Sequence, residues 1–176
     1  MEPKYAIALR AGLSCGIVLV VAELAFGVAL YFLRPAMNDF INGSERDFVL
    51  LLPLITSLIA FLFLVLALYF ACGMIAAKWL APLPLRSRDI AALGAIAGAV
   101  AELVRSLLAI PVNFAISYMS PLASVKSGDV LNIALANAGI RLACGLPAFV
   151  ILAAVVAGAS AYLFSIIFFR PENAPK

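Results

Sequence analysis

Two glutamates and one arginine lie deep inside apolar stretches of this 176-residue chain: Glu23, Glu102 and Arg105. A charged side chain at the centre of a bilayer costs several kcal/mol, about 2.5–3.5 on insertion scales, so each must face protein, water or an opposite charge. Arg105 follows Glu102 by three residues, and that spacing puts both on one helix face, where they can pair. Glu23 has no such partner in its own segment. It is expected to be protonated, to join Arg105 in a shared triad, or to face water. Two chemistries follow. Two carboxylates in unlike environments can load and release a proton or cation, because a nearby guanidinium favours the charged form and burial opposes it. Alternatively, the same charges form an ionic knot that fixes helix register or holds a partner subunit. Arg141 completes the set of intramembrane charges. It lies nearer an expected interface, where a long side chain can reach water.

The residue types that are missing narrow the chemistry. There are no histidines among the 176 residues. Haem or copper ligation, zinc hydrolysis and serine–histidine catalysis are therefore not expected, since each leans on imidazole. Cys15, Cys72 and Cys144 each precede a glycine in apolar sequence and form no CxxC pair. They read as small buried hydrophobes and not as metal ligands. No GxSxG elbow and no glycine-rich phosphate loop is present. A net charge of +3 without a basic run gives no footprint for nucleic acid. The expectation is a non-enzymatic protein with no metal and no cofactor.

Glycines accompany the charges. Gly12, Gly16, Glu23 and Gly27 fall on one face of a helix, and Gly94, Gly98, Glu102 and Arg105 on one face of another. Both faces begin with GxxxG. Small residues let helix backbones approach closely, which is how helices associate where lipid removes the hydrophobic drive. These faces are expected to point into the helix bundle or into a subunit interface.

The elements that must position these residues follow from composition. Hydrophobic residues make up 66% of the chain and charged residues 12%, against roughly 45–50% and 25% in soluble domains. Only a bilayer can accommodate so much apolar surface. Four spans are expected, at about 5–33, 48–78, 90–118 and 141–169. The first is read as a retained helix and not a signal peptide, because its apolar run continues past Glu23 without a convincing cleavage site. Arg34-Pro35 is expected to end it, since proline disfavours helix in the residue before it. The second contains 30 uncharged residues from Phe48 to Ala77. The third follows Asp89, an expected N-cap, and contains Pro111. Residues 129–138 read either as a short surface helix or as further turns of the fourth span. The fourth closes at Arg170-Pro171. Val21-Ala22-Glu23-Leu24 is echoed by Val100-Ala101-Glu102-Leu103 at a distance of 79 residues, a match that chance gives easily in small apolar sequence and that a duplicated hairpin would also leave.

Basic residues set the orientation. One side of the expected topology holds seven: Lys4, Arg10, Lys78, Arg86, Arg88, Arg170 and Lys176. The other holds four: Arg34, Arg46, Lys126 and Arg141. Cytoplasmic loops carry the excess of Lys and Arg. The expectation is therefore an all-α integral membrane protein, a single four-helix transmembrane bundle over 1–176, with both termini cytoplasmic and a location in the plasma (inner) membrane. Its expected partners are the lipid bilayer and either further copies of itself or other membrane subunits. Lys78, Arg86 and Arg88 meet anionic headgroups or serve only to fix topology.

Overall fold

A computed structural model of the chain describes residues 2–42, 52–119, 136, 139–140, 143 and 145–168. Regular structure in this range is entirely helical. Helix α1 spans Pro3–Asn42, α2 Leu52–Leu80, α3 Ser87–Met119 and α4 Leu146–Phe168. Each contains a stretch long and apolar enough to cross a membrane: Pro3–Ala29, Ile55–Leu80, Ser87–Pro111 and Leu146–Phe168. At ~1.5 Å per residue such stretches reach the roughly 30 Å of a hydrocarbon core. Helix is the natural state for this sequence, because it pairs backbone N–H and C=O groups within one segment and leaves none to water. The hydroxyls are satisfied in the same local way. Thr56 and Ser57 donate to the carbonyls of Leu52 and Pro53 at 2.7 Å, and Ser165 donates to Tyr162 at 2.8 Å.

The helix ends show local chemistry. Pro53 and Pro147 each stand one residue into their helix, where a missing N–H costs nothing because it would have had no partner. Helix α3 begins at Ser87, so Asp89 is not the residue before the helix as expected. Arg86 holds that place, its carbonyl accepting from the N–H groups of Asp89 at 2.9 Å and Ile90 at 3.1 Å. The Asp89 carboxylate reaches back to the Arg86 N–H at 3.3 Å, half of a capping box. The connection from α2 to α3 is tight, with Leu83 N–H donating to the Leu80 carbonyl at 2.9 Å.

Helix α1 departs from expectation at its far end. It runs through Arg34-Pro35 to Asn42 instead of stopping there. Proline inside a helix forfeits one backbone bond and costs about 3 kcal/mol. The helix continues regardless to Asn42. Pro111 is tolerated inside α3 in the same way. Residue 141 and residues 129–138, apart from Ala136, lie outside the described residues.

Helix α3 is the centre of the bundle. It packs most extensively against α4, then against α1, and it also touches α2, which itself contacts α1 and α4. Gly12 lies beside Ala97 and Val100, and Gly16 beside Ala101 and Val104, so α1 and α3 run in the same direction. Gly94 meets Ala157 and Ala161 while Gly98 meets Ala153 and Ala157, so α3 and α4 run in opposite directions. The core is built largely of alanine: Ala11, Ala76, Ala97, Ala101 and Ala153 surround Cys15, Leu19, Val65, Tyr69 and Cys72. Large side chains such as Phe63, Leu107, Ile151, Val155 and Ile167 face outward, an exterior compatible with a lipid surround.

Candidate functional site

The structure brings Glu23, Glu102 and Arg105 together near the middle of the bundle. Glu102 is fully buried and Arg105 is 5% exposed. One helical turn separates them, and the guanidinium grips the carboxylate from the side. Arg105 Nε lies 2.8 Å from Glu102 Oε2, and Nη2 donates to Oε1 at 3.0 Å. The Nη2 hydrogen bond and the close approach of Nε make a charge-assisted contact. Glu23 approaches from α1, its Oε2 3.9 Å from Arg105 Nε. Of the three alternatives left open by sequence, the geometry is that of a shared ionic triad, with Glu23 as its looser member. The Glu23 side chain keeps 13% of its exposure where that of Glu102 keeps none.

Residues that the sequence did not single out complete the site. Tyr69 of α2, itself fully buried, donates its hydroxyl to Glu102 Oε2. Ser106 donates to Glu102 Oε1 at 2.9 Å. The Glu102 carboxylate thus accepts hydrogen bonds from two hydroxyls and from Arg105 Nη2, with Arg105 Nε beside it at ion-pair distance. The Arg105 guanidinium carbon also sits 5.5 Å from the centre of the Phe149 ring on α4, within cation–π range. The cluster therefore touches all four helices: Glu23 on α1, Tyr69 on α2, Glu102, Arg105 and Ser106 on α3, and Phe149 on α4. Near Glu23 on α1, Phe26 stacks on Phe61 of α2 with ring centres 4.1 Å apart.

A signal for Tyr69 was available in the sequence. Tyrosine favours the two membrane interfaces, and Tyr69 stands well inside an uncharged span, where its hydroxyl needs a polar partner. Ser106 sits four residues after Glu102, on the same helix face. Phe149 had no such signal, because an aromatic in an apolar helix is ordinary.

The glycines hold the frame around this cluster. A Cβ added to Gly12 would fall 2.6 Å from the Ala97 carbonyl oxygen, and one on Gly16 would fall 2.7 Å from Val104 Cβ. Both distances are closer than real Cβ atoms come, so α1 can reach α3 only with glycine at these positions. Gly94 and Gly98 play the same part against Ala161 and the Ala153 carbonyl of α4. The GxxxG faces point into this chain's own bundle. Gly27 is half-buried further along α1. Gly73 was not anticipated: it abuts Ala157 and Ser160 of α4. There Ser160 Oγ lies 2.9 Å from the Phe70 carbonyl and 3.0 Å from that of Ala157, giving a hydrogen bond between helices. Arg141, the fourth charge expected in this set, lies outside the described residues. Cys15 and Cys72 are buried free thiols in the same core.

No protein-family model, curated protein or solved structure matches this chain. Functional inference therefore rests on the cluster and its surroundings.

Proposed function

We propose that this chain is a non-enzymatic multi-pass membrane protein, a structural component or subunit of a membrane assembly, in which the buried charges clamp its four helices into one register. The supporting observation is the closed shell around Glu102. Its carboxylate is buried and accepts hydrogen bonds from Tyr69, Arg105 and Ser106, an arrangement that supports a structural role. In this reading both termini face the cytoplasm, by the excess of basic residues on that side, and the protein resides in the plasma (inner) membrane. The glycine faces are occupied within the chain, so contacts to further copies or to other subunits use the exposed apolar flanks of the helices.

A second reading has one observation in its favour. The triad places two carboxylates against one guanidinium, and the less enclosed carboxylate, Glu23, is the natural place for a proton or cation that balances charge. A small proton- or cation-coupled transporter or channel would use Glu23 and Glu102 with Arg105 for this purpose.

One experiment separates the readings. The native particle is extracted gently, its mass is measured and co-purifying proteins are identified, followed by flux assays in vesicles. A defined assembly that survives in Glu23→Gln supports the structural reading. A lone particle whose proton or cation flux disappears in Glu23→Gln, with the fold intact, moves the protein to the transport reading.

A further inference from the structure

The end of the bundle that carries the α1 N-terminus, the α2 C-terminus and the start of α3 is basic. Lys4, Arg10, Lys78, Arg86 and Arg88 gather there against Glu2 and Asp89. Lys4 is paired with Glu2 at 2.8 Å, and Asp89 caps α3. Arg10 joins none of the ion pairs among the described residues. It lines an open cavity of about 510 Å³ between α1 and α2, together with Ile7, Leu13, Ser14 and Trp79. Ile7, Arg10 and Ser14 are spaced three and four apart, so they project from one face of α1. Trp79, 43% exposed, closes the cavity from α2.

We infer that this cavity is a binding site for the phosphate headgroup of an anionic phospholipid. The chemistry of the lining fits that ligand. Arg10 lies seven residues past Pro3, roughly 10 Å along the helix, so its charge starts from the edge of the apolar slab, where an exposed cation needs water or an anion. Guanidinium matches the paired oxygens of a phosphodiester. The Ser14 hydroxyl and the indole N–H of Trp79 add donors, and an indole prefers the headgroup level. Ile7 and Leu13 offer apolar surface to the glycerol backbone and upper acyl chain. The surrounding excess of positive charge selects an anionic lipid over a zwitterionic one, and the cytoplasmic leaflet supplies such lipids. This inference rests on the chain spanning a membrane and is independent of the role of Glu102.

Trp79 is the single tryptophan in the chain, so its emission reports the site directly. The full-length protein is reconstituted into phosphatidylcholine vesicles that contain either brominated phosphatidylglycerol or brominated phosphatidylcholine at equal mole fraction. Flotation with the vesicles is checked first; failure to float would remove the membrane reading and this site with it. In the floated protein, brominated phosphatidylglycerol is expected to quench Trp79 with an apparent preference of about fivefold, the effect of roughly one basic residue at an anionic surface. In Arg10→Gln, with helicity unchanged, the preference should fall to about one. Arg86→Gln, outside the cavity, should keep most of it. Equal quenching by the two lipids, or a preference that survives Arg10→Gln, would overturn the proposal. So would relief of quenching by millimolar glycerol phosphate, which would show a site for free phosphate and not for lipid.

Discussion

Two regions of this bundle are held by opposite means. Along the seam between α3 and α4, Gly94 and Gly98 meet Ala153, Ala157 and Ala161, and nothing charged takes part. At the cluster, Glu102, Arg105, Tyr69, Ser106 and Glu23 hold α1, α2 and α3 through charge and hydrogen bonds. The seam works by shape. Lipid tails compete with side chains for apolar contact, so only a fit closer than lipid can achieve favours protein over lipid. The cluster works by exclusion of alternatives, since a charge removed from its partner has no good place in hydrocarbon. Shape tolerates sliding by a turn, because small residues recur along both helices. A carboxylate held by hydrogen bonds from three side chains does not. The difference teaches that the seam supplies proximity and the cluster supplies register.

Substitutions can break or sharpen this contrast. The largest effect is expected from Glu102→Gln, which leaves Arg105 buried with only the more distant Glu23 as a counter-charge. Removing one partner of a buried pair costs about 3–5 kcal/mol, so unfolding in mixed detergent should show a loss of that order and a fall in folded yield. Gly98→Val comes next. The added side chain meets the Ala153 carbonyl and Ala157 Cβ directly, and overpacking of this kind costs about 1–3 kcal/mol. If the seam holds by shape alone, the loss should not vary with salt or pH, and disulfide crosslinks placed between α3 and α4 should slow.

Tyr69→Phe tests the cluster without removing a charge. It deletes one hydrogen bond to a carboxylate and little volume, so a loss of about 1–2 kcal/mol is expected, read from the same unfolding curves. A neutral result would mean that the Tyr69 hydroxyl contributes nothing to register. Glu23→Gln should have the smallest effect, under about 1 kcal/mol. Its contact to Arg105 is long at 3.9 Å, its side chain keeps 13% of its exposure, and glutamine keeps the shape and an acceptor for its other contacts. A loss as large as that of Glu102→Gln would show that the triad is one unit and that the division between tight and loose carboxylates is wrong.

Much of this architecture was legible in the sequence, for identifiable reasons. Uncharged runs of this length in so apolar a chain read as helices, so four helices long and apolar enough to cross a membrane follow directly. The pairing of Glu102 with Arg105 follows from a spacing of three. The approach of Glu23 on a different helix was one of three open choices, because sequence does not say which helices are neighbours. Tyr69 carried a signal, a tyrosine hydroxyl deep in an uncharged span, but nothing in the sequence names Glu102 as its partner. The alanine stripe of α4 was invisible for a related reason, since Ala153, Ala157 and Ala161 look like any apolar residues until glycines are found opposite them. The overrun of α1 past Pro35 shows that a proline disfavours helix without forbidding it.

A double-mutant cycle across Glu102 and Arg105 tests the central claim most directly. Unfolding free energies are measured for Glu102→Gln, for Arg105→Met and for the pair together. If the cluster is a closed structural clamp, each single substitution is strongly destabilising, and the double variant recovers much of the loss because no buried charge is left without its partner. Losses that simply add, or single variants as stable as the native chain, would contradict it.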